Sequence, residues 1–140
     1  MSAFSYSPTI YRISYVYDVI AGIGLTTPWT YKLLYGIILQ LNDGIFGTNS
    51  SLVADDPGGI FFANIGGLAL CAWAWARALH YTPSNLWIDG GLKLLIVAMQ
   101  IIAVANGAPT ILLALGSVLF VIGAAELVTF RRHYSSAKVG

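Results

Sequence analysis

The sequence predicts an all-α integral membrane protein: a four-helix bundle with an additional N-terminal helix, either interfacial or a fifth span. Three observations carry this. Of 140 residues, 57% are hydrophobic and only 9% charged, against about 25% charged in soluble domains. The apolar residues form stretches near the roughly 20 residues that cross about 30 Å of hydrocarbon. The basic residues gather on one side of the topology that results. The same composition excludes other classes. A disordered chain has low hydrophobicity and high charge. A disulfide scaffold needs paired cysteines, and there is one Cys. A nucleic-acid partner calls for a basic surplus, whereas the net charge is +1.

The first element, about residues 10–25, is short and contains Arg12 and Asp18. It can lie in the interface, re-enter, or span. Thr27 is a suitable N-cap and Pro28 a suitable first-turn residue, so a helix starts there and spans over about 29–46, with Lys32 near its start. Pro57-Gly58-Gly59 precedes a span at 60–79, which is apolar apart from Asn64 and Arg77. His80–Asn85, with its Thr82-Pro83-Ser84, separates it from a span at 87–106 that carries Asp89, Lys93 and Gln100. Asn106-Gly107-Ala108-Pro109 separates that from a span at 109–130, with Glu126 near its end. Gly suits a helix end and Pro a helix start. One domain uses the whole chain. Met1–Pro8 lacks the basic start of a signal peptide, so the first apolar helix is expected to act as an uncleaved insertion signal.

With four spans beginning at Trp29, both termini are expected on the cytoplasmic side. Arg12, Lys32, Arg77, Lys93, Arg131, Arg132 and Lys138 then share that side. The opposite loop, 43–59, holds Asp43, Asp55 and Asp56 and no Lys or Arg. This is the positive-inside pattern. A fifth span at 10–25 moves only Arg12 outward, so the rule favours the four-span topology and leaves five spans open.

The candidate chemistry lies towards the cytoplasmic side. Asp89 and Lys93, four apart, share a helix face and can pair. Arg77 and His80 end the preceding span. Glu126 lies five residues, or roughly 7–8 Å, before Arg131. Asp18 and Lys32 join if the N-terminal helix packs alongside. Ionisable residues in a span usually face the bundle interior or water. They either form a polar pocket, with Glu126, Asp18 and Asp89 as candidate catalytic acids, or they are interfacial charges that snorkel and fix topology. Gln100 and Asn64 either contact a ligand or hydrogen-bond between helices. Ala63, Gly67 and Cys71, and Gly116 and Gly123, are small faces for close helix approach, within one chain or between copies. Tyr6, Tyr11, Tyr15, Tyr17, Trp29, Tyr31, Tyr35, Tyr81, Trp87, Phe61 and Phe62 suit the interfacial belt. Trp73 and Trp75 point about 200° apart, so one can face lipid or a partner while the other lines the bundle beside Arg77, in cation–π range.

No cofactor or metal is expected. Both His residues lie at span ends, where they cannot ligate haem, and no CxxCH, HExxH, P-loop or Gly-rich dinucleotide motif is present. Asn49-Ser50-Ser51 matches a glycosylation sequon on the outer loop.

The order of features is specific enough to compare. Tyr17-Asp18 is followed by Thr27-Pro28-Trp29, an acidic Gly/Pro loop, Trp73-Ala74-Trp75-Ala76-Arg77, a Pro-containing turn and Trp87-Ile88-Asp89-Gly90. This resembles the small four-span bacterial membrane proteins grouped as DoxX-like. The resemblance implies a compact four-helix bundle in a bacterial cytoplasmic membrane and assigns no site.

Two functions follow. One is a non-catalytic accessory or scaffold subunit of a larger membrane complex, suggested by short loops and helix-packing faces. The other is an enzyme or binder for a lipophilic small molecule, of isomerase, cyclase or epoxide-opening type, which needs one or two buried carboxylic acids. In that case Trp73, Trp75, Arg77, Lys93, Gln100 and Asn64 are ligand or packing residues. A transporter ranks behind both, for want of interrupted helices in matching halves. The bilayer is the expected partner in all three.

Overall fold

A computed structural model describes residues 8–47 and 56–137, with side chains up to Arg132. These residues form five helices and no strand: α1 (Thr9–Leu25), α2 (Pro28–Phe46), α3 (Pro57–Leu79), α4 (Pro83–Ala105) and α5 (Ile111–Ala137). The all-α prediction holds. The sequon at Asn49, the terminal residues Met1–Ser7, and Asp55 and Lys138 lie outside the described residues.

Local chemistry sets the boundaries. The Thr27 hydroxyl accepts from the Thr30 amide at 3.1 Å, and the Thr27 amide donates back to the Thr30 hydroxyl at 3.2 Å. Pro28 fixes the first turn of α2, and Gly47, at φ 63°, ends it in the left-handed region. The Asp56 carboxylate accepts from the Gly58 and Gly59 amides at 3.3 and 2.8 Å, so α3 starts at Pro57, a turn before the expected 60. α4 begins at Pro83 rather than 87, because Pro83 forms its first turn and does not lie in the separating loop. α5 continues past 130 to Ala137.

α3, α4 and α5 as far as Arg132 are long and apolar enough to cross a membrane. Their outward side chains are apolar, among them Phe62, Trp75, Leu95 and Val121. α1 runs antiparallel to α3. Its start meets the end of α3, where the Tyr11 hydroxyl donates to the Arg77 carbonyl at 3.0 Å. Its end meets the start of α3, where the Asn64 amide donates to the Leu25 carbonyl at 2.6 Å. Between these points the backbones touch. A Cβ on Gly67 would lie 2.9 Å from the Gly22 carbonyl oxygen, and one on Gly22 would lie 2.7 Å from Cys71 Sγ. α4 and α5 pack in the same way, with a Cβ on Gly90 falling 2.8 Å from the Gly123 carbonyl oxygen. The small faces at Gly67–Cys71 and Gly123 therefore serve packing within one chain.

Of the two N-terminal helices, it is α2 that departs from the position the sequence suggested. α2 begins beside the start of α3, with Pro28 and Lys32 next to Pro57, Ile60 and Asn64. Near its other end, Asn42 accepts a hydrogen bond from the Ile111 amide, at the start of α5, at 3.0 Å. The starts of α3 and α5 lie at the same end of the bundle, so α2 crosses over that end. The helices that run along the bundle are α1, α3, α4 and α5. Length and charge placement favoured 29–46 over 10–25 as a span, but the inward faces differ the other way. α1 buries Tyr11, Ser14, Asp18 and Gly22, a continuous stripe, whereas α2 buries only Asn42. Lys32 accordingly lies at the opposite end from Arg77 and does not join the polar group.

Candidate functional site

The polar group is buried inside the bundle. Arg77, Asp89 and Lys93 are 1–3% exposed, Asp18 is 3% and Glu126 is 0%. Counted from Pro83 at the start of α4, Asp89 and Lys93 lie about 9 and 15 Å along the helix at 1.5 Å per residue. Snorkelling to the interface does not describe them.

Each side chain comes from an inward stripe. On α4, Leu86, Asp89, Gly90 and Lys93 fall at i, i+3, i+4 and i+7 and are all buried. On α1, Tyr11, Ser14 and Asp18 have the same spacing. Arg77 contributes from the last turn of α3 and Glu126 from α5. Arg77 bridges two helices, pairing through one guanidinium nitrogen with Asp18 and through the other with Asp89. Lys93 Nζ is 2.6 Å from Asp89 Oδ2, 3.0 Å from Asp18 Oδ2 and 3.7 Å from Glu126 Oε2. Asp89 is the hub. Its Oδ2 also accepts from the Ser14 hydroxyl at 2.8 Å, and its Oδ1 from Trp73 Nε1 at 3.1 Å. The guanidinium lies 5.8 Å from the Trp73 ring centre and 5.5 Å from that of Tyr11. The expected Asp89–Lys93 pair is present as part of this larger network.

Glu126 differs from the other two acids. Neither of its oxygens has a hydrogen-bond donor, although both are buried. Its ion-pair contact is with Lys93 Nζ, 3.7 Å from Oε2. At the helix-end side of the cluster, Tyr11 and Tyr81 meet edge to face at 4.7 Å, and Asn85 donates to the Tyr11 hydroxyl at 3.3 Å. In the α3–α4 loop, burial pushes the Tyr81 phenol above its ordinary pKa, so it stays neutral.

On its other side the cluster forms one wall of a cavity of about 370 Å³. Asp18, Asp89, Lys93 and Trp73 reach this space, together with Tyr17 and Gln100. The remaining walls are apolar. Ala21 and Leu25 come from α1, Leu70 from α3, Leu92 and Ile96 from α4, and Leu115 and Leu119 from α5. Leu34 and Ile38 of the crossing helix α2 close the end. Glu126 is not among the lining residues. It stands behind Lys93 and Asp89.

Of the residues singled out from sequence, the structure brings together Asp18, Arg77, Asp89, Lys93, Glu126 and Trp73. It leaves Trp75, His80, Asn64 and Lys32 apart, while Gln100 joins at the cavity wall. Trp75 is 65% exposed and points away from the bundle. His80 is exposed at the end of α3. Asn64 makes an interhelical hydrogen bond at the far end. Gln100 lines the cavity, and its Oε1 packs against Gly116, where a Cβ would fall at 2.7 Å. Ser14 and the α2 residues Leu34 and Ile38 were missed. Ser14 was legible as the polar residue midway between Tyr11 and Asp18 on one face. Leu34 and Ile38 were not, since nothing local tells a lid helix from a span.

No protein-family model matches this chain. Neither the curated proteins nor the solved structures contain a match to it. The resemblance to DoxX-like proteins therefore rests on its sequence motifs alone.

Proposed function

We propose that this protein is a membrane-embedded binder of a lipophilic small molecule with a polar head. The observation that carries this is the cavity. It is about 370 Å³ in volume and apolar on most sides, with the charged cluster on one wall. Binding sites for small molecules have this design, an apolar pocket of roughly 300–1,000 Å³ with a few convergent polar groups that orient the ligand. The apolar body fits between Leu25, Ile96, Leu115 and Leu119, and the head meets Asp18, Lys93 and Trp73. Because Asp18 and Asp89 touch the cavity while Glu126 stands behind them, any acid that meets a substrate is one of these two. An accessory-subunit role draws on the apolar exterior, which lipid covers equally well.

The chain then sits with α1, α3, α4 and α5 through the bilayer. Arg12, Arg77, Arg131 and Arg132 stand at the cytoplasmic end, in keeping with the positive-inside rule. α2 lies at the opposite interface.

Native mass spectrometry after gentle-detergent purification tests the binding function. The expected spectrum shows one small molecule bound per chain. The adduct disappears in Ala21→Phe, which fills the cavity, while the melting temperature is retained. A bare wild-type chain, or an adduct undiminished in Ala21→Phe, would overturn it.

A further inference from the structure

The cluster does not balance its charges. Among the described residues, Asp18, Asp89 and Glu126 pair only with Arg77 and Lys93. No further ionisable group faces Glu126 from the described parts of any helix packed on it. α1 offers Ser14, Asp18 and the neutral Tyr11, α3 offers Arg77, and α4 offers Asp89 and Lys93. A net charge is costly in an interior that excludes water. The fully ionised set is thus one positive charge short.

Two things can supply that charge. In the empty protein it is a proton. Glu126 is the acid without a hydrogen-bond donor, and at 3.7 Å it is the farthest of the three from Lys93 Nζ, so it is the one that holds the proton. When the cavity is occupied, it can be the ligand. Asp18 and Asp89 present their carboxylates to the cavity beside the Trp73 indole, and an aromatic face next to carboxylates suits an organic cation. Building on the proposed binding function, we propose that the ligand is a lipophilic monocation, an amine or quaternary ammonium with an apolar body, and that its binding displaces the proton of the empty cluster. The exchange balances: one organic cation enters and one proton leaves to solvent.

The test uses the full chain in lipid nanodiscs, titrated with octyltriethylammonium, which has no titration of its own, and with tetradecanol, a neutral molecule of equal carbon count. Proton release is followed by a pH indicator in weak buffer from about pH 5 to 9. In the wild type, the cation binds more tightly than the alcohol. Within that range its binding releases close to one proton, and its affinity rises by up to tenfold per pH unit while release persists. The alcohol releases none. Glu126→Gln keeps the cluster balanced without a proton, so it abolishes proton release and lowers cation affinity at least tenfold. Tetradecanol binding in that variant reports whether the cavity has folded. If it has not, Asp18→Asn removes the same charge and carries the same expectation. Cation binding without proton release at any pH, or cation affinity unchanged in both variants, would overturn the inference. Tetradecanol binding with no cation preference would reject the cationic ligand and keep the binding function. Binding of neither probe would count against both.

Discussion

α1 and α2 are near neighbours in sequence, similar in length and both rich in apolar and aromatic residues, yet they take different places in the molecule. α1 is 17 residues long, about 26 Å at 1.5 Å per residue. It carries an aspartate that looks costly for a membrane helix. α2 has 19 residues and no charge between Lys32 and Asp43. Length and the placement of charge favour α2 as the span. The structure instead inserts α1 against α3 and lays α2 across the end. Asp18 reaches Arg77 and Lys93, Ser14 reaches Asp89, and Gly22 lets α1 touch α3. α2 buries only Asn42. Membership of the bundle follows what a helix can satisfy on its inward face, because an apolar face gains little by exchanging lipid for protein.

The sharpest way to break this comparison is all-or-none. Between the start of α2 and the start of α4 the chain crosses the bilayer once if α2 lies at the surface and twice if α2 spans. In a Cys71→Ala background, Trp29→Cys and Ser84→Cys are therefore expected to label from opposite sides with a membrane-impermeant thiol reagent. Labelling from the same side would restore α2 as a span.

The next effect is energetic. Arg77 ties α1 to α4 through two buried carboxylates, and removing one partner of a buried network typically costs about 3–5 kcal/mol. Arg77→Leu should lower unfolding stability in mixed micelles by that order. Asp18→Leu/Arg77→Leu should recover part of the loss, because fewer charges are left without a partner. A single variant as stable as the wild type would show that α1 is held by its apolar and glycine contacts alone.

The helices and the start of α2 were legible in the sequence, since Thr27-Pro28 is local cap chemistry that tertiary structure does not override, whereas α3 and α4 begin a turn earlier than expected, at Pro57 and Pro83. The polar group was legible as a list. Asp89 and Lys93 share a face at i, i+4, and Glu126 stood out as an acid inside a span, five residues before Arg131. Its depth was less so. Distance from helix ends suggested charges that reach water, whereas full burial depends on α1 covering them, a contact between residues 59 to 75 positions apart. The cavity was not legible at all. It exists because α2 turns at Thr26-Thr27 and closes over the end, and the hydropathy of 29–46 is the same for a lid as for a span.

The smallest effect isolates the lid. Asn42 is 1% exposed and accepts from the Ile111 amide, one of the first-turn donors of α5 with no partner inside its own helix. Leaving a buried amide without an acceptor costs about 1–3 kcal/mol, so Asn42→Ala is expected near the low end, where water at the bundle end can partly replace the lost group. Asn42→Asp keeps an acceptor at the same place and should cost less. The local consequence is more telling than the global one. Without this bond the far end of α2 loses its polar tie to α5, and Leu34 and Ile38 no longer hold the cavity shut. Hydrogen exchange should accelerate across the α2 amides in Asn42→Ala and leave those of α1 unchanged, because α1 is anchored by the charged cluster at the other end. Equal acceleration in both helices would mean that lid and bundle open as one unit, and the distinction between α1 and α2 would then be one of position only.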